Sequence, residues 1–226
     1  MKEFYEEYWE HRKNIDHIYD DWTPKRLEFC LDRLEKHGCE TVLDIGCGEG
    51  TLGKLATDSV EIFGVDISET ALTIADEHYT ETAQIDLEND NLKDKFEIEF
   101  DAVVCLEVLE HLINPKNFLS EMVIELSEDA LFIISVPNFV FWNHRFKILF
   151  GNLPENYTLY KSSEHISNFN LSVAERTIQK VGLSIVEIIH DYSYPVVPDR
   201  LLPNLVGSLA PDLLSRQIIF VCETLK

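Results

Sequence analysis

The residues best placed to do chemistry stand in one nine-residue stretch, "VLDIGCGEG" at 42–50, where Asp44, Gly46, Gly48 and Gly50 alternate with other residues at the end of an apolar run. A strand that breaks into such a turn and then a helix is built to hold a ligand. Its glycines admit close backbone approach where a Cβ would collide, and its acid attracts a cation or hydroxyl groups. Three ligand classes use this arrangement. A P-loop needs G-x-x-x-x-G-K followed by Ser or Thr to help hold magnesium, but "GEGTLGK" at 48–54 is followed by Leu55. The dinucleotide fingerprint G-x-G-x-x-G opens on Gly46 and Gly48 and meets Thr51 at its third glycine. The pattern D-x-G-x-G-x-G fits at every position.

Further acids follow in order. "GVDIS" places Asp66 at the end of the second predicted strand, where a carboxylate can accept both hydroxyls of a ribose; "AQIDLEN" places Asp86 after the third. "FDAVVCLEVLEHL" then closes a fourth strand at Leu106 and opens a short helix carrying Glu107 and His111. With these landmarks the chain resembles the class I S-adenosylmethionine-dependent methyltransferases. The run "PNFVFW" after the fifth strand and "LPNLVG" before the last look like the MetW-like branch, with UbiG-like quinone O-methyltransferases as more distant relatives.

The resemblance implies S-adenosyl-L-methionine as cofactor and S-adenosyl-L-homocysteine as product. The implied cofactor-binding residues are Asp44, Gly46, Cys47 (through its backbone), Gly48, Gly50, Asp66, Ile67, Asp86, Leu87 and Leu106. Asp86 would hold the adenine amino group, and Asp44 the methionyl ammonium, directly or through water. The physical logic agrees: this cofactor has no phosphate but carries a sulfonium and an ammonium, so its pocket calls for acids where a nucleotide pocket calls for Lys or Arg. On the acceptor side the candidates are His111, as a base where the acceptor must lose a proton, Glu107 one helical turn before it, and His165 in "SSEHISNFN". Each has an ordinary structural role as its alternative: a helix cap, a packing histidine or a loop hydrogen bond. No H-x-x-x-H or comparable spacing points to a metal.

The elements that must position these residues alternate between β-branched apolar runs and helical stretches from Thr41 onward, the signature of a parallel sheet covered on both faces. Strands are predicted near 41–45, 60–65, 82–85, 100–105, 130–136, 183–189 and 217–222. Helices are predicted at 24–37, 50–57, 68–78, 115–126 and 171–181, with Ser68 as a cap and Gly38 and Gly182 as terminators. The expected fold is α/β: a Rossmann-like, seven-stranded, mostly parallel sheet with helices on both faces and an N-terminal helical extension. Residues 1–38 form that extension, an amphipathic helix packing on the core or a lid in which Tyr5, Tyr8 and Trp9 share a face. Residues 39–226 form the cofactor-binding domain. The aromatic run "SVPNFVFWNHRFKILFGNLP" reads as a cover for an apolar acceptor or as a packing helix. The connection "HDYSYPVVPDRLLPNLVGSLAPD", with its four prolines, is long enough to be functional.

Composition narrows the partners. Forty-one acids against 19 Lys and Arg give a formal net charge of -22, which repels a phosphate backbone and excludes long nucleic acid as the expected partner. Thirteen acids fall between Asp58 and Glu99, against Lys93 and Lys95 alone; a solvated face accounts for most of them. Five scattered cysteines without a C-x-x-C pair, no leader-like N-terminus and no membrane-length apolar run predict a cytoplasmic protein with reduced thiols and no integral membrane association. The expected function is methyl transfer to a small-molecule acceptor by a chain that can act as a homodimer or with a partner enzyme. The alternative is a cofactor-binding regulatory module that works through a partner enzyme without methyl transfer, as the MetW-like resemblance allows.

Overall fold

The computed structural model describes residues 2–12, 23–57, 59–126, 129–154, 165–192 and 209–225. Tyr19, Trp22 and the stretch 193–208 of the proline-rich connection lie outside them. Seven strands, β1 (Thr41–Ile45), β2 (Glu61–Asp66), β3 (Glu81–Gln84), β4 (Ala102–Leu106), β5 (Leu131–Pro137), β6 (Leu183–Tyr192) and β7 (Ser215–Thr224), form one sheet in the order β3, β2, β1, β4, β5, β7, β6. β1 pairs parallel with β2 and β4, and β2 parallel with β3; β6 and β7 pair antiparallel. The apolar runs explain the placing. β5 is buried along its whole length and β4 along all but its last residue, as strands covered on both faces must be.

The helices are α1 (Lys2–Arg12), α2 (Thr23–His37), α3 (Thr51–Leu55), α4 (Glu69–Ala75), α5 (Pro115–Glu125), α6 (Trp142–Leu149), α7 (Leu171–Lys180) and α8 (Pro211–Leu214). Ser68 caps α4 by accepting a hydrogen bond from the Ala71 N–H, and Gly38 and Gly182 follow α2 and α7 with positive φ, as the sequence predicts. The first five strands fall within two residues of their predicted bounds. β6 and β7 run longer than predicted because each supplies the other's ladder. α4 stops three residues early, where the His78 N–H donates to the Ala75 carbonyl and turns Tyr79 back toward the glycine turn. The chain divides into two compact units: Met1–Cys105 with Glu121–Ile133, and Leu106–Ser120 with Ile134–Lys226.

Within the first unit, Tyr79 explains part of the glycine pattern. A Cβ on Gly50, Gly53 or Gly64 would stand 2.7–2.9 Å from its ring. Gly50 also has φ 78° and would bring a Cβ to 2.8 Å from the Ala75 Cα. This glycine is therefore required by packing inside the protein. Gly50→Ala is expected to cost about 2–4 kcal/mol, the sum of left-handed backbone strain and overpacking, measured as a lowered urea midpoint at unchanged slope.

Candidate functional site

The first unit carries most of the predicted cofactor residues, at the carboxyl ends of its strands. Asp44 and Asp66 sit at the ends of β1 and β2, and Asp86 follows β3. What the glycine turn does with its own N–H groups decides what it can bind. Gly46 N and Cys47 N donate to the Val65 carbonyl at 2.8 and 3.1 Å, Gly50 N to the Cys47 carbonyl at 3.1 Å, and Gly48 N to Asp66 Oδ2 at 3.0 Å. A phosphate cradle directs such donors outward at the anion. Here three of these four are bonded to Val65 and Asp66 of β2 and one to Cys47 within the turn, and Lys54 is exposed at the end of α3. The turn is not a phosphate site.

The acids fit a cationic, hydroxyl-bearing ligand instead. Asp44 is buried and accepts a 2.6 Å hydrogen bond from the Tyr79 hydroxyl. Burial lifts its carboxyl to about 7, the Tyr79 bond opposes the rise, and the Asp66 charge adds to it. An arriving ammonium would reverse the balance. Asp66 holds the turn and the start of α4 together, accepting from Gly48 N and from Ser68 N at 2.9 Å; burial raises its pKa despite these bonds. Each carboxylate oxygen can accept more than one hydrogen bond, so both remain competent toward a diol. Ile67 accepts from Gln84 Nε2 through its carbonyl, and Leu87 is half-buried. Asp86 accepts from Glu88 N and Asn89 Nδ2. The Cys47 thiol packs toward Gly64 and burial raises it well above its ordinary range, which leaves only its backbone for ligand contact.

Two residues of α1 reach this region: Trp9, which the lid alternative places over the site, and Glu6, which the sequence reading does not single out. The Trp9 ring lies 2.8 Å from where a Cβ on Gly48 would be, and Glu6 accepts from Ser68 Oγ, Glu69 N and Thr70 N at 2.8–3.1 Å. The shared aromatic face of α1 is the signal in the sequence; its partner becomes visible only in the fold.

Proton linkage at Asp44 has a definite sign. Its folded value of about 7 exceeds the ordinary 3.8, so the ligand-free protein holds a proton there that the unfolded chain releases. That contribution to stability is complete below pH 4 and is lost as the pH rises to 7. Binding of a cationic ammonium at pH 6 is expected to expel the proton. Calorimetry of S-adenosylhomocysteine in two buffers of different ionisation enthalpy should report its release, and Asp44→Asn should diminish it.

The second unit holds Leu106 and the acceptor-side residues. Glu107 is not on the helix with His111, as the sequence predicts. It follows β4 with φ 57°, the one non-glycine residue with positive φ among the described residues, and the 3-10 helix begins at Leu109. Left-handed backbone costs a glutamate on the order of 1–2 kcal/mol and persists where the surroundings fix it. Here Ser135 Oγ donates to Oε1 and Gln217 Nε2 to Oε2, both at 2.8 Å. β5 and β7 thus aim this carboxylate.

His111 and His165 come together, with ring centroids 5.1 Å apart and edge to face. Glu110, fully buried, joins them: His111 Nε2 stands 3.8 Å from Glu110 Oε1, and one ligand atom from each of the three residues lies within 4.8 Å of the others. The Glu110 carbonyl accepts from Ile166 N and Ser167 N at 2.7 and 2.9 Å, which ties the His165 loop to the 3-10 helix. Burial, with the His111 and His144 charges, lowers His165 to about 4, so it stands as the neutral imidazole a metal requires. A carboxylate and two imidazoles suit a divalent cation. Spacing along the chain does not reveal this set, because two of its members are adjacent and the third is 54 residues away.

A parallel sheet that closes on an antiparallel pair, with acids at the strand ends around an inward-bonded glycine turn, defines the class I methyltransferase fold. Residues 8–188 match the family model described as a methyltransferase domain, and the chain belongs to that family. It is 36% identical over 105 residues to a ubiquinone biosynthesis O-methyltransferase from Dechloromonas aromatica (strain RCB), covering 44% of this chain and 45% of that one. The chain thus spans less than half the length of this curated relative. Among solved structures, a SAM dependent methyltransferase from Archaeoglobus fulgidus superimposes with TM-score 0.59 at 19% identity, over 88% of this chain and 94% of that one. The N-methyltransferase NodS from Bradyrhizobium japonicum WM9, in complex with S-adenosyl-l-homocysteine, does so with TM-score 0.64 at 14% identity over 98% of each. Among the described residues, no helix is long and apolar enough to cross a membrane.

Proposed function

We propose that this chain binds S-adenosylmethionine and transfers its methyl group to a hydroxyl oxygen of a small-molecule acceptor. The observation that carries the reading is the glycine turn: its N–H groups are bonded inward while buried acids stand beside it. Asp66 would take the ribose hydroxyls, Asp86 with Ile67, Leu87 and Leu106 the adenine, and Asp44 the ammonium, with Gly46, Cys47, Gly48 and Gly50 lining the methionyl part. When bound, the cofactor supplies an activated methyl group on a sulfonium, so the protein's task is alignment and exclusion of water. Residues 1–38 serve as a helical extension whose α1 acts as a lid on residues 39–226, a role supported by the placing of Trp9 and Glu6.

On the acceptor side, Glu110, His111 and His165 would hold a divalent cation, and the chemistry it would supply is polarisation of the acceptor oxygen and easier loss of its proton. Glu107, aimed by Ser135 and Gln217, borders the acceptor. A name shared by relatives, ubiquinone biosynthesis O-methyltransferase, supports oxygen as the methylated atom. The net charge of -22 supports a small acceptor over a nucleic acid and a cytoplasmic setting over an anionic surface. The test is S-adenosylhomocysteine release from S-adenosylmethionine with a panel of phenolic acceptors, with and without chelator. Turnover that stops on chelation and returns with manganese or magnesium supports the reading. Tight cofactor binding with no methyl loss toward any acceptor class would leave the chain as a regulatory module.

A further inference from the structure

Tyr79 belongs to no part of the ligand motif, yet its side chain meets the motif's acid. It lies in the turn between α4 and β3, where His78 N donates to the Ala75 carbonyl and Thr80 N to the Ile62 carbonyl, both at 2.8 Å. The ring is buried in space that Gly50, Gly53 and Gly64 keep clear, since a Cβ on any of them would stand 2.9 Å or less from it. A phenylalanine would fill that space as well, so packing alone does not account for the hydroxyl. Burying an O–H is costly unless it is bonded, and this one donates to Asp44 Oδ2 at 2.6 Å. Burial and the Asp44 charge hold the phenol well above its ordinary range, so it stays a donor at every pH the protein meets. With Oδ2 engaged in this way, Oδ1 is the oxygen left to a ligand.

We propose that Tyr79 is a positioning residue for the cofactor's methionyl ammonium: its hydroxyl fixes the Asp44 carboxylate and stabilises it as the anion that this cation needs, an inference that rests on the reading of Asp44 as the ammonium's partner. A donor bonds a carboxylate more strongly than a carboxylic acid, so the hydroxyl opposes the burial that lifts Asp44 to about 7. Two other charged groups act on Asp44: Asp66 at the end of β2 raises it further, and Arg26 of α2 lowers it. The Cys30 and Cys47 thiols feel its charge, but burial pushes the first to about 12 and the second well above its ordinary range, so both stay neutral. Loss of the hydroxyl leaves all four of these groups in place. It raises Asp44, and the ammonium must then displace a proton up to a higher pH, so affinity weakens most on the acid side and recovers as the pH rises.

The experiment compares the full chain with Tyr79→Phe, which keeps the ring, by calorimetry with two ligands. One is S-adenosylhomocysteine; the other is methylthioadenosine, the same nucleoside thioether without the ammonium and carboxylate. Affinity for S-adenosylhomocysteine should fall about 10-fold at pH 6 and less than about 3-fold at about pH 8.5. Methylthioadenosine should bind within about 2-fold of the parent at both, which also shows that the variant's pocket is folded. In an Asp44→Asn background, Tyr79→Phe should change affinity by less than about 2-fold at either pH, because there is no longer a charge to stabilise. Equal losses for both ligands, a loss that does not narrow as the pH rises, or full affinity at pH 6 would overturn the role of Tyr79. If Asp44→Asn alone keeps full affinity at about pH 8.5, the reading of Asp44 fails, and the proposal with it.

Discussion

Asp66→Ala is expected to abolish measurable S-adenosylhomocysteine binding, a loss of at least about 100-fold, while Lys54→Ala leaves affinity unchanged. The first substitution acts twice. It removes the acceptor of the Gly48 and Ser68 N–H groups, each worth about 1–3 kcal/mol when left buried without a partner, and it removes the carboxylate proposed to meet the ribose diol. Asp66→Asn separates the two effects, because the amide retains one accepting oxygen and nearly the same volume while losing the second acceptor. Circular dichroism on that variant checks the fold. Lys54 is exposed beyond the turn and would matter only to a nucleotide. Calorimetry in which Lys54→Ala loses the ligand and Asp66→Ala keeps it would reverse the ligand class.

The second large effect belongs to the buried trio. Glu110→Gln is expected to weaken manganese binding by about 100-fold and to reduce turnover in step, and His165→Ala to do the same, while S-adenosylhomocysteine affinity is preserved in both. The carboxylate is the one anionic ligand in the set, and its full burial means that its charge is either compensated or costly. Glu110→Gln therefore has a second readout: with the charge gone, the cation-free protein should be no less stable than the parent, whereas the manganese-dependent rise in melting temperature should disappear. A variant that keeps full manganese affinity would leave Glu110 with a purely structural place.

The parts of this site that lie within one turn or one strand end could be read from the chain. Asp44 and the glycines are contiguous, and Asp66 and Leu106 stand at the ends of the buried apolar runs of β2 and β4, whereas Asp86 follows the half-exposed edge strand β3. The contacts between distant segments could not, even where a residue such as His165 is itself among the candidates. Tyr79 reaches Asp44 across 35 residues, Gln217 reaches Glu107 across 110, and His165 reaches the 3-10 helix across more than 50. Each of these is a single polar side chain with no periodic pattern to announce it. Glu107 shows a further limit: its spacing from His111 suits a helix, but the left-handed backbone that Ser135 and Gln217 maintain cannot be inferred from residue type. Gly50 shows the converse, since its place in a ligand motif conceals a packing requirement set by Ala75 and Tyr79.

The central claim is that the turn at 44–50 accepts a cationic adenosyl ligand and refuses a phosphate. Isothermal titration of the full chain with S-adenosylhomocysteine, with ATP and magnesium as the comparison, tests it most directly. The site described here predicts one binding event of micromolar affinity for the sulfur ligand and no heat from ATP. A folded sample that gives heat with ATP and magnesium and none with S-adenosylhomocysteine would contradict it.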